Sequence, residues 1–119
     1  MTAKIGKVRI FKSGATRDTD EGKLDYEGFL SPVVLERFAE YMQKHRIQSD
    51  GRLRESDNWQ KGIPVHQYVK SLWRHFMAVW KGHRNGQIGE EDVCAMLFNT
   101  MGLLHELIMS RKERSSNEE

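Results

Sequence analysis

The stretch Asp57-Asn58-Trp59-Gln60-Lys61-Gly62-Ile63-Pro64 gathers a carboxamide, an indole and an ammonium group in a polar loop that runs into a proline able to open a helix. A loop tryptophan does one of two things: it plugs the top of a core, or it stacks on a flat ligand. The neighbouring lysine matches phosphate oxygens, so the second alternative is a phosphorylated, ring-bearing ligand. Both alternatives stay open on these residues alone.

Other chemistries are excluded by spacing. Asp18-Thr19-Asp20-Glu21-Gly22 echoes a calcium loop, but its glycine comes one position early and Phe29 stands where the closing bidentate glutamate belongs. The glycines at 14, 22 and 28 form no phosphate loop, because no Gly-Lys-Ser/Thr pattern opens a helix. No Ser/His/Asp order and no His-x-x-x-His pair supports a triad or a zinc site, and His75, His83 and His105 are scattered. The single cysteine, Cys94, sits in an apolar helical pattern and is expected to be a core thiol.

Three helices must position the rest. The first is expected from Ser31-Pro32 to about His45, with Val34, Leu35, Phe38 and Met42 on one stripe. The second follows Ile63-Pro64 and repeats Val65, Tyr68, Val69, Leu72, Trp73, Phe76 and Trp80 at helical spacing to about Gly82, which assigns Trp73 to the core. The third opens on Glu90, Glu91 and Asp92, suited to the positive end of a helix dipole, and carries Val93, Met96, Leu97, Met101, Leu104, Leu107 and Ile108 inward to about Arg111. Residues 4 to 11 read as a short strand or extended arm, residues 13 to 30 and about 47 to 64 as long loops, and 113 to 119 as a solvated tail. Two loops this long in a small domain point to binding. The expected architecture is all-α: one helical domain over residues 1 to 112, a bundle of three main helices with long ordered loops and an N-terminal arm.

Charged residues make up 30% of the 119 and hydrophobic ones 38%, as in soluble proteins. No apolar run is read as approaching the ~18 residues of a membrane span and no secretion signal is recognised, so a cytoplasmic location is expected. A net charge of +2 is too mild to indicate a nucleic-acid polymer as partner, but it is compatible with small anions. Six methionines and three tryptophans exceed what three helices bury among themselves, so a homodimer or higher oligomer is expected. The stripe Asp92, Ala95, Asn99, Gly102 and Glu106 reads either as a dimer seam or as a pocket wall.

Four separated motifs add up to a resemblance. Gly14-Ala15-Thr16-Arg17-Asp18 with Gly22-Lys23, then Asn58 to Pro64, then Arg74-His75-Phe76, then an acidic start with Leu97-Phe98-Asn99, resemble the small phage and bacterial dATP/dGTP diphosphohydrolase family over Gly14 to Leu107. The resemblance implies a phage or prophage origin, an all-α fold related to MazG-like nucleotide pyrophosphohydrolases, and a purine nucleotide as ligand in the infected host cytoplasm. MazG-like enzymes hold magnesium with Glu-x-x-Glu on one helix and Glu-x-x-Asp on the next, and this sequence lacks that pair of motifs. Its nearest substitutes are Glu36 with Glu40, and Glu91, Asp92 and Glu106, which would take Mg or Mn in a hydrolase.

The motifs chiefly supply donors and cations: Arg17, Lys23, Asn58, Lys61, Arg74, His75 and Asn99, with Trp59 to stack on the base. Two functions follow. One is capture of a purine or cyclic nucleotide, such as a host-defence signal, without turnover and with no cofactor required. The other is metal-dependent pyrophosphohydrolysis of dATP or dGTP. Neither involves a membrane.

Overall fold

A hairpin turn at Gly14 organises the first part of the chain. In this computed structural model, which describes residues 7–118, β1 (Val8–Ile10) pairs antiparallel with β2 (Thr16–Asp18), setting Val8 against Asp18, Arg9 against Arg17 and Ile10 against Thr16. Gly14 sits at φ 89°, a left-handed conformation that costs glycine little, and its N–H donates to the Phe11 carbonyl at 2.9 Å. A one-turn helix, α1 (Tyr26–Phe29), follows, capped by Asp25 Oδ1, which accepts from the Gly28 N–H at 3.0 Å. The expected arm is therefore one half of a hairpin, and its part before Lys7 lies outside the described residues. The segment 13 to 30, expected as loop, holds a strand and a helical turn; both elements are only three or four residues long, too short to show a period.

The chain divides into two compact units, Met1–Pro32 and Val33–Glu119. The second carries the long helices: α2 (Pro32–Lys44, starting at the boundary), α3 (Val65–Arg84) and α4 (Glu90–Glu118), with a 3-10 turn at Asn58–Lys61. Proline sits at the first position of α2 and just before α3, where its missing N–H costs nothing. The chain is thus mostly helical, as expected, with one small sheet added to the all-α reading. The stretch read as a tail continues α4 as far as Glu118, with exposed side chains over residues 111 to 117.

Helices α3 and α4 form an antiparallel hairpin. His75 meets Asp92 near one end, and the Tyr68 ring lies on Gly102 further along. The seam consists of small residues: Ala95 is 1% exposed, and a Cβ built at Gly102 would stand 2.3 Å from the Tyr68 ring. Only glycine allows this close approach. The stripe from Asp92 to Glu106 is therefore occupied by α3 and by the chain leading into it, because Glu106 Oε1 accepts from the Ile63 N–H at 3.3 Å. Cys94 is a core thiol, 7% exposed.

Two expectations are corrected. Trp73 is 64% exposed, because α4 covers only the face of α3 that carries Tyr68; the apolar stripe of α3 is wider than one neighbouring helix can bury. By length and composition alone, α4 is also apolar enough to cross a membrane, since a single carboxylate, Glu106, interrupts its apolar middle. A helix packed into a protein core meets the same criterion, and one face of α4 is packed on α3.

Candidate functional site

A cavity of about 400 Å³ opens where the C-terminal end of α2, the segment between α2 and α3, and Phe98 of α4 come together. That volume lies within the range of small-ligand pockets. Tyr41, in the last turn of α2, and His45, just past its end, have ring centroids 4.3 Å apart, and both line the cavity. Burial raises the Tyr41 phenol above its ordinary pKa, reinforced by nearby Glu91.

A miniature hairpin forms the second wall. Ile47 bridges Leu53 antiparallel, and the turn between them runs from Gln48 to Gly51, whose N–H donates to the Gln48 carbonyl at 2.9 Å. Asp50 Oδ1 accepts from the Arg52 N–H at 2.9 Å, and Gly51 takes φ 82°. The next pair outward is Arg46 against Arg54, joined by the Arg54 N–H donating to the Arg46 carbonyl at 2.8 Å. Both side chains line the cavity. Arg46 is held in place: its Nε donates to the Arg54 carbonyl at 2.9 Å and its guanidinium reaches Gln43 Oε1 at 3.3 Å.

The 3-10 turn supplies the third wall with Asn58 and Trp59. The Trp59 indole meets Phe98 edge to face at 6.1 Å and His105 at 4.9 Å, so two rings of α4 set its angle. Phe98 in turn meets buried Tyr68 at 6.0 Å, which ties the cavity wall to the α3–α4 seam. Trp59 thus covers Phe98 and His105 and also lines the cavity.

The other residues anticipated from sequence are dispersed. Lys61 ends the same 3-10 turn but does not line the cavity. Arg74 is exposed on α3. His75 Nδ1 lies 2.9 Å from Asp92 Oδ1. Asn99 is 5% exposed and its amide donates to the Ala95 carbonyl at 2.7 Å, a bond within its own helix. Arg17 and Lys23 belong to the first unit, on β2 and in the turn before α1. Tyr41, His45, Arg46 and Arg54 were not singled out in the sequence. The available signal was Asp50-Gly51, a turn-forming pair, with an arginine four residues to either side of Asp50.

Glu90 and Glu91, which open α4, are paired with cations. Arg37 Nε donates to Glu90 Oε1 at 2.8 Å, and that hydrogen bond raises the guanidinium pKa. Lys44 Nζ donates to Glu91 Oε1 at 3.0 Å, holding the Glu91 carboxyl below its ordinary range, with Arg37 and His45 adding to the effect. These contacts pin α2 to the first turn of α4. Glu106 lies fifteen residues beyond Glu91, about 22 Å along the helix, so Glu91, Asp92 and Glu106 do not converge on one ion within a chain. Among the described residues no group of three or more His, Cys, Asp or Glu side chains is placed to hold a metal.

The chain belongs to the dATP/dGTP diphosphohydrolase N-terminal family, whose model matches residues 13–116. No curated protein and no solved structure matches it.

Proposed function

With that family membership as premise, we propose that this protein binds a purine nucleotide in the cavity beside Trp59 and holds it without turnover. The observation that carries the reading is the composition of the walls: aromatic rings from Tyr41, Trp59 and Phe98 face the donors of Arg46, Arg54 and Asn58. Rings take a base and guanidinium forks take phosphate, while the Asn58 carboxamide offers both a donor and an acceptor to a purine edge. Capture rather than cleavage is supported by the carboxylates that open α4, each of which faces a basic side chain: Glu90 faces Arg37, Glu91 faces Lys44, and Asp92 faces His75. The ligand class is a purine deoxynucleotide or a cyclic or NAD-derived relative of it, the latter matching a phage protein that withdraws a host-defence signal in the bacterial cytoplasm.

The family description favours a second reading, metal-dependent pyrophosphohydrolysis of dATP or dGTP, with Mg or Mn as cofactor. One experiment separates the two. The protein is incubated with purine deoxynucleotides, cyclic dinucleotides and NAD-derived signals plus manganese, and the free and heat-released pools are resolved by chromatography. Depletion of one compound, followed by its intact recovery on heating, is the expected result. Release of pyrophosphate and a monophosphate refutes capture and establishes the hydrolase.

We also propose that the chain associates with a second copy of itself. The support is the outer face of α3, where Trp73, Phe76, Met77 and Trp80 are 64%, 44%, 38% and 47% exposed. A contiguous set of large apolar side chains on one helix is characteristic of an association surface.

A further inference from the structure

We infer that Arg46 and Arg54, opposed across the Ile47–Leu53 bridge, form an anion clamp for a pyrophosphate-type group, the polyphosphate end of the ligand in the cavity. The inference rests on the nucleotide reading of that cavity and assigns its phosphate end.

Antiparallel pairing dictates the geometry. Residues directly opposite each other across a bridge project to the same face, so the register that sets Ile47 against Leu53 sends the side chains of Arg46 and Arg54 to one side. That side is the cavity, which both residues line. Like charges in this position are unfavourable, and among the described residues neither guanidinium forms an ion pair. Glu55 lines the same cavity but is not bonded to either arginine. The positive charge is left for something outside the chain.

The donors are prepared as well as charged. Of the five N–H donors of a guanidinium, Arg46 spends two, on the Arg54 carbonyl and Gln43 Oε1, which fixes its plane and leaves three uncommitted. The Arg54 side chain makes no hydrogen bond among the described residues, so it can close on a ligand from the opposite strand. Two planar forks on one face match two adjacent phosphoryl groups, each taken bidentately. Tyr41, Trp59 and Phe98 complete the lining and provide for the base, so one cavity accounts for both ends of a nucleotide.

The test compares wild type with Arg54→Ala and Arg54→Lys by calorimetry, using dATP, deoxyadenosine and inorganic pyrophosphate as probes. Arg54→Ala is expected to weaken dATP and pyrophosphate at least tenfold while leaving deoxyadenosine unchanged. Arg54→Lys, which keeps the charge but loses the fork, is expected to fall between. Arg54 is exposed and opposes a like charge, so Arg54→Ala is also expected to keep or raise the melting temperature of the free protein; a purely structural arginine would lower it. Equal dATP affinity in wild type and Arg54→Ala overturns the clamp and leaves the nucleotide reading standing. If wild type binds neither dATP nor deoxyadenosine, the purine-deoxynucleotide form of that reading fails, and the pyrophosphate arm decides the clamp alone: binding lost in Arg54→Ala supports it, and no binding by wild type overturns it.

Discussion

Replacing Trp59 by leucine separates its two roles. The indole is edge-packed on Phe98 at 6.1 Å and on His105 at 4.9 Å. Aromatic pairs contribute about 0.5–1.5 kcal/mol each beyond the area they bury, so losing both costs roughly 1–3 kcal/mol of folding stability. Leucine still covers the core beneath, which keeps the loss at the low end of that range. The ligand loses a stacking face, worth about 1–3 kcal/mol per base, or roughly a 5- to 150-fold rise in Kd. Calorimetric titration with the nucleotide that the chromatographic panel identifies, beside a thermal melt, reads both quantities. The pattern expected is a folded protein with a modestly lower Tm and strongly weakened binding, and Trp59→Phe should recover most of the affinity because it keeps a ring. A folded Trp59→Leu protein with wild-type affinity would refute the stacking role and leave the indole as a core cover alone.

Three further outcomes are expected. The Tyr68 hydroxyl is buried without a hydrogen-bond partner among the described residues, and burial together with nearby Glu106 raises its pKa; Tyr68→Phe should therefore gain about 1 kcal/mol, a Tm rise of roughly 4 °C, and a fall of that size would show that the hydroxyl has a partner in solution. Because its contacts with Lys44, Arg37 and His45 depress the Glu91 pKa, the stability they give is fully present above the ordinary carboxylate value of ~4.3 and is lost as pH falls through the depressed value. The Tm difference between wild type and Glu91→Gln should accordingly be constant near neutrality and vanish in acid, and a difference unchanged at pH 2 would remove Glu91 from the clamp between α2 and α4. Trp73→Glu places a charge on the exposed face of α3 and should convert an associated species to monomer in light scattering without lowering the monomer's helicity; an unchanged mass, whether monomeric or associated, argues against that face as the seam.

The long helices were legible because their signals are periodic and redundant. Proline at the start of α2, proline before α3 and three acids opening α4 each mark an end, and the apolar spacing between fixes the type. Of the hairpin, β1 falls within residues 4 to 11, read as a short strand or arm, whereas β2 and its pairing were not legible, since a strand of three polar residues carries no usable alternation. Trp73 shows where periodicity misleads: spacing identifies the apolar face of a helix but not how much of it a neighbour covers. The same limit hid the role of the stripe on α4, whose small residues announce a close approach without naming the partner, here the ring of Tyr68.

The candidate site divides along the same line. Asn58 and Trp59 stood out because a polar loop with an indole is unusual in composition, and the cavity contains both. Arg46 and Arg54 did not stand out, because an arginine is ordinary in any loop. Their meaning comes only from register: the turn at Asp50-Gly51 folds residues eight apart in sequence into direct opposition. Asn99 and His75 show the converse, being prominent as motif residues yet bonded to Ala95 and Asp92 within the helical hairpin. Composition therefore located the aromatic side of the cavity, whereas its cationic side depended on a short turn that sets a pairing, and with it two guanidinium groups, on one face.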